Sequence, residues 1–257
     1  MCELFGISSA KKCQINDYLK DFFSHGDAHP HGWGLACMEE NQIQIEKEPI
    51  QANKSNYLKE RLSVPLEVQN AFGHIRYATI GHVEYGNCHP YTTKDDTGRQ
   101  WTLVHNGTIF DYPPLSKYVD IQKGETDSER ILLYLVDQIN QEEKRLQRIM
   151  SAEERFQLLD AVIVHMSKGN KLNLLIYDEE LFYVHSNYVD SLYELKKEQQ
   201  VLFSTTPLSK EDWKPVKFAT LLAYQNGQKV ISGTTHTHEY KDNEENMKFL
   251  YSIFSDL

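Results

Sequence analysis

No run of apolar residues in this chain approaches the roughly 18 that a membrane-spanning helix needs, and the longest are short stretches such as Ile131 to Val136. The N-terminus, Met1-Cys2-Glu3-Leu4-Phe5-Gly6, lacks the basic start and apolar centre of a secretory signal. A soluble cytoplasmic protein with no membrane contact is therefore expected. Basic charge is also scarce, because 27 Lys and Arg stand against 37 Asp and Glu for a net charge of −10. Binding to nucleic acid needs clustered cations that release counterions, so that class is excluded too. The one basic cluster, Lys144 to Arg148, follows Glu142 and Glu143 and reads as a solvated helix face. Cysteine is sparse, with four residues and no C-x-x-C pair, which points to reduced thiols. Eleven histidines invite a metal reading around His25, His29 and His31, or His82, Cys88 and His89. No H-E-x-x-H or paired C-x-x-C spacing supports it, and neither metal nor cofactor is expected. His29 and His31 read as loop-shaping residues beside Gly32-Trp33-Gly34, and His236 and His238 as exposed in a Thr-rich turn.

What is present is ordinary globular material, 40% hydrophobic and 25% charged over 257 residues, with no repeat and no low-complexity linker. Strands are expected at Leu4 to Ser8, Gly34 to Met38, Gln42 to Glu46, Val68 to Tyr77 and Trp101 to His105, with short helices at Ile15 to Ser24 and Lys54 to Leu62. Thr126-Asp127-Ser128-Glu129 has the form of a capping box ahead of Ile131, Leu132, Leu135, Val136 and Ile139 at helical spacing. Ser151-Ala152-Glu153-Glu154 repeats that signal ahead of Phe156, Leu159, Val162, Ile163 and Met166. Strand patterns return at Leu172 to Tyr177, Leu181 to His185 and Val201 to Ser204. A hairpin then joins Lys217 to Tyr224 with Lys229 to Ile231 around Asn226-Gly227. Strands, then helices, then strands imply a layered α+β domain, not alternating βαβ units. The polar stretch from Glu239 to Asn246, followed by Phe249 to Phe254, reads as a solvated turn and a docked terminal segment.

Four features carry chemistry. Removal of Met1 would put a thiol and a free α-amine on Cys2, so that one residue holds a nucleophile and a base to activate it. Arg76 and Thr79, in Gly73-His74-Ile75-Arg76-Tyr77-Ala78-Thr79, stand near a strand end, where a planar guanidinium can grip a carboxylate with two bonds. His105-Asn106-Gly107 can aim a side-chain amide and a backbone N–H at one oxyanion, or form a plain Asn-Gly turn. Asp127, in the first turn of the long helix, can serve the helix dipole or receive an ammonium group.

In order as well as content, these segments resemble the class II glutamine amidotransferase domain of the N-terminal nucleophile hydrolase superfamily. The resemblance runs from Met1-Cys2 and Leu4-Phe5-Gly6 through His31-Gly32-Trp33-Gly34, His74 to Thr79 and His105-Asn106-Gly107 to Glu125-Thr126-Asp127-Ser128-Glu129. It is closest to the compact stand-alone members, the YafJ-like group, and continues to Ser204-Thr205-Thr206-Pro207-Leu208. It implies one domain over residues 2–257 with a four-layer αββα sandwich of the N-terminal nucleophile hydrolase type. It also implies that Cys2 is the nucleophile and its α-amine the base, with Asn106 and the Gly107 N–H as oxyanion hole. Arg76 would bind the substrate α-carboxylate beside Tyr77, Thr79 and His105, and Asp127 would hold the α-ammonium. Tyr77 and Ile80 stand where synthase members carry Trp and His, and residues 150–257 are too few to hold a synthase. The expected activity is cleavage of the γ-glutamyl amide of glutamine or a γ-glutamyl compound. The alternatives are a glutaminase subunit feeding a separate synthase chain and a silent binding module. A homo-oligomer is compatible with either.

Overall fold

The computed structural model describes residues 2–39 and 42–254, with only the backbone of 251–254; Met1 lies outside the described residues. The first half runs β1 (Glu3–Gln14), α1 (Asn16–Ser24), β2 (Trp33–Glu39), β3 (Gln42–Glu48), α2 (Asn56–Arg61), β4 (Glu67–Ile75), β5 (Tyr91–Lys94) and β6 (Gln100–Thr108). Two long helices follow, α3 (Asp127–Leu146) and α4 (Ala152–Met166). The rest is β7 (Lys171–Tyr177), β8 (Phe182–Ser186), β9 (Tyr193–Lys197), β10 (Gln200–Ser204), β11 (Lys214–Pro215), β12 (Thr220–Gln225), β13 (Gln228–Thr235) and α5 (Glu244–Phe254).

Every ladder is antiparallel, and the strands form a seven-stranded sheet ordered β11-β9-β10-β1-β4-β2-β3 and a six-stranded sheet ordered β13-β12-β8-β7-β6-β5. Strand side chains alternate between faces, and three apolar cores result. Phe5, Ile7, Trp33 and Leu35 face Leu19, Phe22 and Phe23 of α1. Leu4, Phe72, Val104, Leu175 and Phe203 meet between the sheets. Leu103, Leu174 and Tyr183 pack under Ile131, Leu135, Phe156 and Leu159 of α3 and α4. The result is the expected αββα order of layers.

Both capping signals begin helices, but only one closes fully. Ser151 and Glu154 exchange side-chain bonds with each other's backbone N–H. Thr126 accepts the Glu129 N–H, whereas the buried Glu129 carboxylate reaches back to the N–H groups of Lys123 and Gly124. The Asn226-Gly227 pair makes the two-residue turn of the β12–β13 hairpin with both residues at positive φ, although β12 starts at Thr220 and not at Lys217. Lys144, Arg145 and Arg148 are engaged by Asp96, Glu142 and Glu154 on an exposed face.

His236 departs from expectation, because it is buried and its Nε2 lies 3.0 Å from His185 Nε2. His185 Nδ1 faces the Leu172 carbonyl and must donate to it, so His185 Nε2 accepts and His236 Nε2–H donates. His236 Nδ1 is then free to accept the His238 N–H. Burial pulls His185 down to about 3 and holds His74, His89 and His105 below the ordinary histidine range. At these four histidines the unfolded chain therefore takes up protons below about pH 6.5 while the folded chain resists them. Stability is fully present above that pH and falls toward pH 3; His185 alone removes about 2 kcal/mol by pH 5. Urea titrations at pH 7 and pH 5 test this, and equal midpoints would contradict it.

Candidate active site

Cys2 stands at the head of β1, where Glu3 pairs with Ile75 at the end of β4. This register brings the Cys2 sulfur to the backbone of Tyr77, which accepts from the thiol and donates its own N–H to it, both at 3.4 Å. Burial pushes the thiol above its ordinary value, while the Tyr77 contact and the Arg76 charge oppose that rise. The turn after β4 is fixed by its neighbours. Arg76 N–H donates to the Gly32 carbonyl, His31 N–H donates to Arg76, and Ala78 N–H donates to His31 Nδ1. That last bond requires neutral His31 at Nδ1, and burial indeed lowers its pKa.

Opposite the sulfur lies β6, which extends through Asn106 and Gly107 to Thr108 instead of ending at His105. Alternation sends His105 and Asn106 to opposite faces. His105 binds Ser128 of α3 and the Lys171 carbonyl, tying the helix layer to β6 and β7. Asn106 faces the thiol side, in a cavity of about 30 Å3 lined also by Cys2, Tyr77, Thr79, Gly107 and Lys171. Gly107 is required by close approach, since a Cβ there would run into the Lys171 carbonyl and the His105 ring.

The structure thus brings Cys2, Tyr77, Thr79, Asn106 and Gly107 together and leaves three candidates outside that cavity. Arg76 is 2% exposed, and its two terminal nitrogens donate to the carbonyls of Ile80, Gly81 and His82. It holds the 80–82 loop, which Asn87 and Glu125 brace from the other side. Asp127 accepts the Ile109 N–H and lines a separate cavity of about 220 Å3 with Arg130; Phe110 borders both cavities. His105 supports the wall from behind. Two further cavities of about 420 Å3 each contain none of these residues.

Sequence reasoning missed Lys171, Tyr240 and Asp242, which complete the wall of the cysteine cavity. Lys171 had one visible signal, a charge at the head of the otherwise apolar Leu172–Ile176 run broken only by Asn173. It is 3% exposed, and burial lowers it to about 8 although Asp242 and Cys2 pull the other way. Among the described residues no group of three or more His, Cys, Asp or Glu converges as a metal site, and no helix is long and apolar enough to cross a membrane.

Comparison with known proteins gives concordant matches. A family model described as class II glutamine amidotransferases matches residues 1–199. An uncharacterised protein of Methanocaldococcus jannaschii is 28% identical over 90% of this chain and 71% of its own length. The Escherichia coli protein YafJ is 29% identical over 69% of this chain and 70% of its own. Among solved structures, the glutamine phosphoribosylpyrophosphate amidotransferase of Bacillus subtilis superposes with a TM-score of 0.64 at 16% identity. It covers 92% of this chain, which spans half the length of that enzyme, and the likeness is one of fold.

Arg76 supports the loop through a planar fork that an ammonium cannot copy. Arg76→Lys should therefore destabilise the fold by about 1–3 kcal/mol and open residues 79–84 to limited proteolysis. Mapping the cleavage sites checks this, and an unaltered cleavage pattern contradicts it.

Proposed function

Because the chain belongs to the class II glutamine amidotransferases, we propose that it is an amidohydrolase that cleaves a γ-glutamyl amide through a thioester on Cys2. The observation that carries this reading is the convergence of the Cys2 sulfur, Asn106 and Gly107 on one cavity. The sulfur attacks the γ-amide carbonyl carbon and a C–S bond forms. The C–N bond then breaks, and the nitrogen leaves as ammonia or an amine carrying the thiol proton. Water hydrolyses the thioester, giving glutamate and the free thiol. The Cys2 α-amine, exposed once Met1 is removed, takes the thiol proton and returns it to the leaving nitrogen. This route avoids any need for a thiolate at rest, which suits a sulfur whose burial disfavours ionisation.

Asn106 and the Gly107 N–H would stabilise the oxyanion. Tyr77 and Thr79 shape the wall, and His105 positions the strand that carries Asn106. Asp127 would take the substrate ammonium from the cavity next door, across Phe110, and Arg76 would reach a carboxylate after releasing the 80–82 loop. The reading needs no cofactor, treats residues 2–257 as one domain and places the enzyme in the cytoplasm. A second reading, a glutaminase subunit that serves a synthase chain, is favoured by the size of the cysteine cavity. About 30 Å3 holds roughly one water molecule, so the site must open before a glutamyl group can enter.

Incubation with a diazo-ketone glutamine analogue, followed by peptide mapping, tests the proposal. The expected result is an adduct on Cys2 lacking Met1, and loss of glutamate release by a factor on the order of a thousand or more in Cys2→Ala. Full turnover by Cys2→Ala would remove the nucleophile from the mechanism. An adduct that forms only beside a synthase partner would select the second reading.

A further inference from the structure

The cavity beside the cysteine cavity, at the start of α3, carries two opposite charges that do not pair. Asp127 and Arg130 both line it, together with Ile109, Phe110 and Asp111. Side chains three residues apart on a helix are neighbours, with Cβ atoms about 5–6 Å apart, and Asp and Arg at that spacing ordinarily attract each other. Here each is engaged elsewhere. Asp127 Oδ2 accepts the Ile109 N–H at 2.8 Å. The partly buried Arg130 makes one long bond, from Nε to the Thr126 carbonyl at 3.5 Å. Its two terminal nitrogens have no bond or ion pair among the described residues, and Asp111, exposed on the same wall, does not pair with it.

The second oxygen of Asp127 has no donor either. The Lys171 carbonyl can only accept, so His105 carries its proton on Nε2 and its Nδ1 accepts from the Ser128 hydroxyl. Burial lowers His105 and keeps the ring neutral. The single Ser128 proton is thereby used, and the Ser128 oxygen, 3.3 Å from Asp127 Oδ1, has none left to give it. A carboxylate only 6% exposed thus keeps one oxygen without a donor, on the wall of a cavity of about 220 Å3. Such an oxygen is costly to bury unless a cation or donor reaches it, and the cavity gives one access.

We propose that Arg130 is a carboxylate-binding, specificity-determining residue of this cavity, where it and Asp127 receive the carboxylate and the ammonium of one α-amino acid head group. The identity of the substrate rests on the γ-glutamyl reading above. An α-amino acid bears its two charges on one carbon, which suits two side chains one helical step apart. Phe110 borders both cavities, so a side chain leaving the head group passes it toward Cys2. Arg76 can then stay on the carbonyls of Ile80, Gly81 and His82. A ligand with only one of the two charges leaves the other protein group unpaired, and the site rejects it.

Phenylglyoxal, which modifies guanidinium groups, tests the assignment without turnover. The full chain is treated with it, and modification at Arg130 is followed by peptide mapping. L-Glutamine at about ten times its Kd should slow that modification roughly tenfold. L-Norvaline, which has the same head group and no amide, should also protect. 4-Aminobutanamide, which is glutamine without its carboxylate, should not, and protection equal to that of L-glutamine overturns the proposal. Calorimetry on the Cys2→Ala chain gives the second arm. Arg130→Met should raise the Kd of L-glutamine about tenfold or more and leave that of 4-aminobutanamide unchanged. Arg130→Lys should recover part of the loss, and the thermal midpoint should not move in either variant, since Arg130 makes no strong bond in the fold. An unchanged Kd in Arg130→Met defeats the assignment while leaving the γ-glutamyl reading intact. Protection by L-norvaline with none by L-glutamine defeats the γ-glutamyl reading and keeps the head-group site. Protection by L-glutamine alone supports both, and protection by neither overturns the proposal.

Discussion

The site depends on the register of β1 between β4 and β10. Glu3 opposite Ile75 places Cys2 beside Tyr77, and Phe5 opposite Ser204 fixes the other edge. Sliding the strand by one residue would exchange its faces, sending Phe5 and Ile7 between the sheets and Leu4 and Gly6 toward α1. That slip is blocked from both sides. Phe5 and Ile7 belong to the helix-side core, and Gly6 leaves room that Leu175 and Phe182 of the opposite sheet fill. The apolar pattern of a strand thereby sets where a sulfur atom sits, to within a fraction of a residue step. Asn106 reaches the same point from the other sheet because β6 pairs with β7 through Thr108.

Polar groups do the remaining positioning, and they do it in buried junctions. Asn170 accepts the N–H groups of Phe110 and Asp111 and donates to the carbonyls of Asp111 and Met166, which fixes the loop between the two cavities. Asn187 does the same for the end of α4, the start of β7 and the segment after β13, with its amide donating to Ser167, Asn170 and His238. Each such amide would be a liability if left unsatisfied, since desolvation without a bond costs more than the bond contributes. Full satisfaction makes them rigid reference points. The loops around the cavities need such points, because apolar contacts alone do not fix direction.

How much of this was legible in the sequence follows the range of the physics involved. Local signals were reliable: Ser151 and Glu154 close their box, and Asn226-Gly227 turns the hairpin. Signals that compete with distant partners were not. Asn106-Gly107 looks like a turn in isolation, yet the ladder with Asn173 and Leu172 keeps both residues in β6. Glu129 has the capping-box position, but Lys123 and Gly124 offer it two N–H groups and win it. His236 sits in a polar stretch and is nonetheless buried, because His185 on β8 waits with an acceptor nitrogen. Short strands such as β5 and β9 draw their definition from neighbours in the sheet and carry no pattern of their own. For the site, sequence order found the residues that gather around the thiol, but not that Arg76 turns into its own loop nor that Lys171 turns toward the Tyr188 ring.

Chemistry and access are built from different stretches of chain. The family match ends at residue 199 and contains Cys2, Tyr77, Asn106, Gly107 and Asp127. The cover over the cavity comes from Tyr240, Asp242 and Leu250, beyond that match. The two are joined through the hairpin β12–β13, after which His236 bonds His185 and the Tyr240 N–H bonds the Asn187 carbonyl. A sulfur fixed by strand register tolerates little change, since any shift moves it from Asn106 and Gly107. The segment after β13, held by the Phe110 ring, the His185–His236 bond and the Tyr188–Asp242 bond, can be rebuilt without touching that register. Substitutions in the C-terminal fifth of the chain are therefore where the lining of the cavity can alter while the surroundings of the Cys2 sulfur stay fixed.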